Sequence, residues 1–154
     1  MTLTITHAEP ADTADLVSLV EALETHYGVT DFPPLAARLE QTRALLFGPT
    51  PAARVLLARD DTKAVALAAY SYLWPAVGTA QSLYLKELFV LETHRRRGVA
   101  GLLMRELQSI AGATGCVRIE WTAQRDNDAA LKFYAALGAA VNDDKAFHRL
   151  VLDR

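Results

Sequence analysis

Alternation of polar and apolar residues over Leu3–Ala8 predicts a first β-strand. Pro10 and Asp12 then open a helix whose Leu16, Leu19, Val20 and Leu23 recur on one face until the chain nears Gly28. A second helix is predicted from Pro33-Pro34 to about Phe47, where Gly48-Pro49 stops it. Arg54–Arg59 and Lys63–Trp74 read as a hairpin around Asp60-Asp61, and residues 76–80 lead into an eight-residue strand, Leu83–Val90. The spacing then predicts a helix over 98–112, a turn at Gly115, a strand over 116–123 and a helix over 128–137 closed by Gly138. A last pair of strands, 139–141 and 146–152, is expected around Asn142-Asp143-Asp144. The order is βααβββαβαββ, an α/β arrangement with a mixed central sheet and helices on both faces. No repeat or linker divides it, so 1–154 is expected to be a single domain.

Composition narrows what such a domain does. At 154 residues and 51% hydrophobic, the chain can bury a core of its own. A net charge of −2 argues against non-specific nucleic-acid binding. One cysteine gives no disulfide framework, no stretch reaches the length of a membrane span, and the N-terminus lacks a signal-peptide pattern. A cytoplasmic protein without membrane attachment is expected. His7, His26, His94 and His148 have no helical pairing and no cysteine company, so no metal is expected. Cys116 opens an apolar strand and reads as core packing.

The chemistry concentrates where strand 83–90 meets helix 98–112. Leu91-Glu92-Thr93-His94 is followed by Arg95, Arg96, Arg97, Gly98, Val99, Ala100 and Gly101. Glycine lets backbone approach an anion, and the N–H groups of a helix's first turn have no intrahelical partner. The helix dipole and three guanidiniums add positive charge, so the turn is suited to a pyrophosphate. Its order, Arg95-x-x-Gly98-x-Ala100, is neither a P-loop nor G-x-G-x-x-G.

That spacing resembles the acyl-CoA-binding motif of the GNAT superfamily of N-acetyltransferases, Arg/Gln-x-x-Gly-x-Gly/Ala. Downstream, Asn127-Asp128-Ala129-Ala130-Leu131-Lys132-Phe133-Tyr134, with Gly138 beyond, is similar to the family's Asn-x-x-Ala-x-x-Phe-Tyr-x-x-x-Gly segment. The resemblance implies acetyl-CoA as co-substrate, held by the backbone of Leu88, Phe89 and Val90, by the turn Arg95–Gly101, and by Asn127, Ala130 and Tyr134. It also implies that the strands at 82–91 and 116–123 run parallel and splay apart. Tyr134 would then give a proton to the departing thiolate. Asn127 is read first as the cap of its helix.

Acyl transfer to an amine also needs a base, because an alkylammonium has a reference pKa of about 10.4. Glu87 is a carboxylate on a central strand, where charge is costly unless paired, and reads either as that base or as an ion pair with Lys86. The acceptor is expected to be a small-molecule primary amine, met by Glu24, Tyr27, Asp31 and Glu87. Among family subgroups, the diamine (spermidine/spermine-type) acetyltransferases look nearest, although Lys86 stands where they carry an acid. A protein lysine or N-terminus is the alternative acceptor, and a non-catalytic acyl-CoA sensor the alternative of another class. A homodimer through 139–152 is expected by the same resemblance.

Overall fold

The computed structural model describes residues 1–153. The chain divides into two compact units, Met1–Trp121 and a second beginning at Thr122. In the first, the elements are β1 (Leu3–His7), α1 (Thr13–His26), α2 (Leu35–Phe47), β2 (Arg54–Asp60), β3 (Lys63–Leu73), β4 (Gln81–Val90), α3 (Val99–Ala113) and β5 (Cys116–Glu120). The strands lie in the order β1-β2-β3-β4-β5. The first three pairings are antiparallel and β4–β5 is parallel, so the sheet is mixed as expected.

Sequence spacing explains which face each helix covers. Leu16 and Leu19 of α1 pack on Val55, Leu57 and Leu67, alternate residues of β2 and β3 that share one face of the sheet. Val17, rather than Val20, completes the buried stripe of α1; Val20 is exposed. Arg59 at the end of β2 bonds Asp12 at 2.6 Å and Asp15 at 2.9 Å, fixing the helix's first turn, where the dipole favours acidic side chains. The other face, with Leu56, Ala58, Ala66, Ala68 and Tyr70, is left for α3, which contributes the buried Leu103, Met104 and Leu107. A parallel β4–β5 pair needs a crossover, and α3 is that crossover.

The second unit holds one helix, α4 (Asp128–Ala136). Asn127 caps it as predicted: its side-chain carbonyl accepts the Ala130 N–H at 3.2 Å. Gly138 in the left-handed region ends it, with the Gly138 N–H on the Ala135 carbonyl and the Ala139 N–H on that of Tyr134.

Two expectations fail. The predicted strands at 139–141 and 146–152 are absent, and residues 139–153 carry no regular secondary structure. A three-residue strand offers few ladder bonds, and a two-stranded hairpin is marginal without a third strand beside it. Neither does the strand at 116–123 run its full length: β5 stops at Glu120. The five-stranded order is therefore βααβββαβα among the described residues.

Candidate active site

The parallel pairing of β4 with β5 ends at Tyr84 opposite Glu120. β4 continues for six more residues, Leu85–Val90, with no strand on that side among the described residues. A bulge lies just past Tyr84. Ala69 faces Glu87 and Tyr70 faces Leu85, so Lys86 is an extra residue in β4. Such an insertion bends and twists the strand that carries it. The parallel pairing implied by the resemblance is present, and it ends where β5 itself stops.

Register decides which main-chain groups face the opening. The Leu91 N–H bonds the Val65 carbonyl, and antiparallel pairs alternate between bonded and non-bonded. Phe89 therefore exchanges bonds with Leu67, whereas Leu88 and Val90 turn their N–H and C=O groups to the open edge. Of the three backbone positions expected to meet a pantetheine chain, two point that way. The Val90 carbonyl already accepts a bond from Arg95 Nε at 3.0 Å.

The turn after β4 is built between two buried residues, His94 and Val99. Arg96 (φ 61°) and Gly98 (φ 80°) both lie in the left-handed region. Glycine accepts this freely, but an arginine there costs about 1–2 kcal/mol. Alternation of this kind makes a concave nest of N–H groups suited to anions. Val99, Ala100 and Gly101 form the first turn of α3, and no side chain caps it. The three arginines divide the work. Arg95 turns back onto β4, its guanidinium 5.7 Å from the Phe89 ring centroid. Arg96 and Arg97 are exposed and form no ion pair among the described residues.

Glu87 shares a sheet face with Phe89 and with α1, through its register with Ala69. It is half-buried, and burial raises its carboxyl above the usual range while Lys86 opposes this weakly. No ion pair forms between the two side chains. Successive strand residues pointing apart would prevent one in any case, and in the bulge Lys86 is exposed.

On that face lies a cavity of about 710 Å³. Phe89 lines it from β4 and Leu91 from just beyond, Leu35 and Leu39 from α2, and Ser18, Glu21, Thr25 and His26 from α1. Glu92 and Arg95 close the strand end. Arg38 braces the roof: it bonds Glu21 at 2.8 Å and the Pro33 carbonyl at 2.9 Å, and stands 5.4 Å from the Phe32 ring centroid. Glu92 has no such partner among the described residues. Of the expected acceptor residues, Glu24, Tyr27 and Asp31 are exposed and do not line this cavity, and Glu87, on the same sheet face, is not among its lining residues either. The signal for Glu21 was available in the sequence. Ala14, Ser18, Glu21 and Thr25 recur at helical spacing on the flank of the buried stripe.

In the second unit, Tyr134 lies on α4 beside Phe133, the ring centroids 5.4 Å apart. Asn127 spends its side-chain carbonyl on the helix cap.

Comparison with known proteins agrees with this geometry. The pattern of the Acetyltransferase (GNAT) family matches residues 17–139, and the chain belongs to that family of enzymes. It is 28% identical to an integron cassette protein from the mobile metagenome of V. cholerae, covering 99% of this chain and 94% of that one with a TM-score of 0.86. An aminoglycoside N-acetyltransferase, AAC(6')-Iy, solved in complex with CoA, shares the fold at 21% identity, over 97% of this chain and 95% of that one with a TM-score of 0.78. L-ornithine N5-acetyltransferase NATA1 of Arabidopsis thaliana is 31% identical over 80 residues, which is 52% of this chain. The chain spans only 35% of that curated relative's length.

Proposed function

We propose that this protein transfers the acetyl group of acetyl-CoA to a primary amine of a small molecule, by direct attack on the thioester. The observation that carries the reading is the open edge of β4. The Leu88 main-chain groups and the Val90 N–H face it beside the Arg96–Gly98 nest, and Glu87 stands unpaired on the adjoining face. The family match runs through both units, so we take them as parts of one acetyltransferase domain.

In this mechanism Leu88 and Val90 bond the pantetheine chain, and the nest with Arg96 and Arg97 holds the pyrophosphate. Glu87 takes the ammonium proton, directly or through a water, and its raised pKa suits a base working toward neutral pH. The amine nitrogen then bonds the thioester carbon, an N–H of the open edge supports the oxyanion, and the C–S bond breaks. Tyr134 protonates the departing thiolate, a role that rests on the Phe133-Tyr134 motif. The acceptor occupies the α1–α2 cavity, whose volume lies in the small-molecule range of about 300–1,000 Å³. Its apolar lining and the uncompensated Glu92 suit an alkylammonium. Known relatives named for ornithine and aminoglycoside acetylation give the same acceptor class, and Lys86 weighs against multiply charged polyamines.

A panel of small amines, incubated with acetyl-CoA and assayed for thiol release, tests this. The expected result is amine-dependent release with acetylated product by mass spectrometry. Release only with peptide substrates would move the acceptor to proteins, and CoA binding without release under any acceptor would favour a sensor.

A further inference from the structure

The three-arginine turn is exposed and contains a left-handed arginine, so something must hold its shape. Towards α3 the holder is Val99, buried in the core. Towards β4 it is His94, whose side chain is 11% exposed. His94 Nδ1 and Thr93 Oγ1 are 2.8 Å apart, and His94 Nε2 lies 3.1 Å from Asp60 Oδ2. Asp60 is itself fixed: it ends β2, and its Oδ1 accepts the Thr2 N–H at 3.1 Å. The next residue, Asp61, donates its N–H to the Thr2 carbonyl. The imidazole thus joins the start of the turn to the hairpin end of the central sheet. Between His94 and the first intrahelical bond of α3, only Arg95 contributes a main-chain bond, to the Glu92 carbonyl at 3.3 Å.

We propose that His94, through its bond to Asp60, is a positioning residue for the pyrophosphate of acetyl-CoA, holding Arg96 and the Arg95–Gly98 nest in their anion-binding shape. The inference rests on the functional reading above and adds to it a residue that does not touch the ligand. The low pKa of Asp60, caused first by its bond to His94, agrees with a bond that keeps this carboxylate charged.

Calorimetric titration with CoA tests the assignment on the full chain. His94→Leu removes the bond from one side and Asp60→Ala from the other. Each should weaken CoA binding by about tenfold, the size expected for one hydrogen bond to a charged group. The double variant should weaken binding by less than the product of the two single losses, because both delete the same His94–Asp60 tie. His94→Gln, whose amide can still donate to Asp60, should recover most of the affinity. A loss shared equally by His94→Gln would overturn the proposal, as would CoA affinities within twofold of the unaltered protein. If both single variants fail to fold, the tie serves the fold as a whole and the proposal also fails. Absence of CoA binding by the unaltered protein would instead overturn the functional reading itself.

Discussion

Glu87 and Tyr134 are side chains whose types announced chemistry in the sequence, and they differ in how far structure explains them. For Glu87 the surroundings give a reason: burial raises its pKa, against a smaller opposing effect of Lys86. Between the ordinary carboxylate value and the raised one, the folded chain keeps a proton that the unfolded chain has released. Stability therefore falls as pH rises through that window. Glu87→Gln, uncharged throughout, should melt higher than the unaltered protein at about pH 8 and nearly with it at about pH 4. The same variant should lose rate most below the acceptor amine's pKa and least above it. Thermal melts and pH–rate profiles read both effects, and a variant less stable at every pH would show a structural ion pair instead. Tyr134→Phe deletes only a hydroxyl. Its kcat should fall by roughly 10²–10⁴-fold with the KM for acetyl-CoA little changed, and near-normal turnover would remove the proton-donor role. Glu21 and Glu92 escaped the sequence reading because a carboxylate on a helix flank or in a turn looks solvated until the elements around it are placed.

At the scale of elements, the turn between β4 and α3 was legible because glycine, arginines and a helix start each leave a mark in sequence. What the spacing did not show is that Arg96 takes the left-handed conformation alongside Gly98. Arg96→Gly should relieve that cost, leaving folding stability equal or higher by about 1 kcal/mol, while CoA affinity falls through loss of a guanidinium. Arg96→Ala, which keeps a Cβ and so the same backbone cost, should lose the affinity without gaining the stability. Reversing charge at Arg96 and Arg97 together should weaken CoA binding on the order of 100-fold, from two charge-assisted bonds. Added salt should weaken the unaltered protein's binding but not the variant's. Unchanged calorimetric affinity in the double reversal would take the turn out of the site. The bulge at Lys86 was not legible: it is set by pairing with β3, and Leu83–Val90 reads as an uninterrupted strand. That hidden residue lies two past Tyr84, the last β4 residue paired with β5.

For the whole molecule, the strands and helices from residue 3 to residue 120 were readable because each has a clear period and a turn signal at its ends. Past Gly138, beyond α4, the pattern misled: Ala146–Leu152 reads as a strand, yet a strand exists only with a partner in register, and sequence pattern alone cannot supply one. On the proposed function these scales meet in one place: CoA lies along the unpaired edge of β4 and the turn after it. Amide-resolved hydrogen exchange, with and without CoA, measures this most directly. The account predicts that CoA slows exchange at Leu88, Val90, Val99, Ala100 and Gly101, while Phe89, already bonded to β3, is little affected. Protection confined to other amides, with Leu88 and Val90 exchanging as fast as in the free protein, would contradict it.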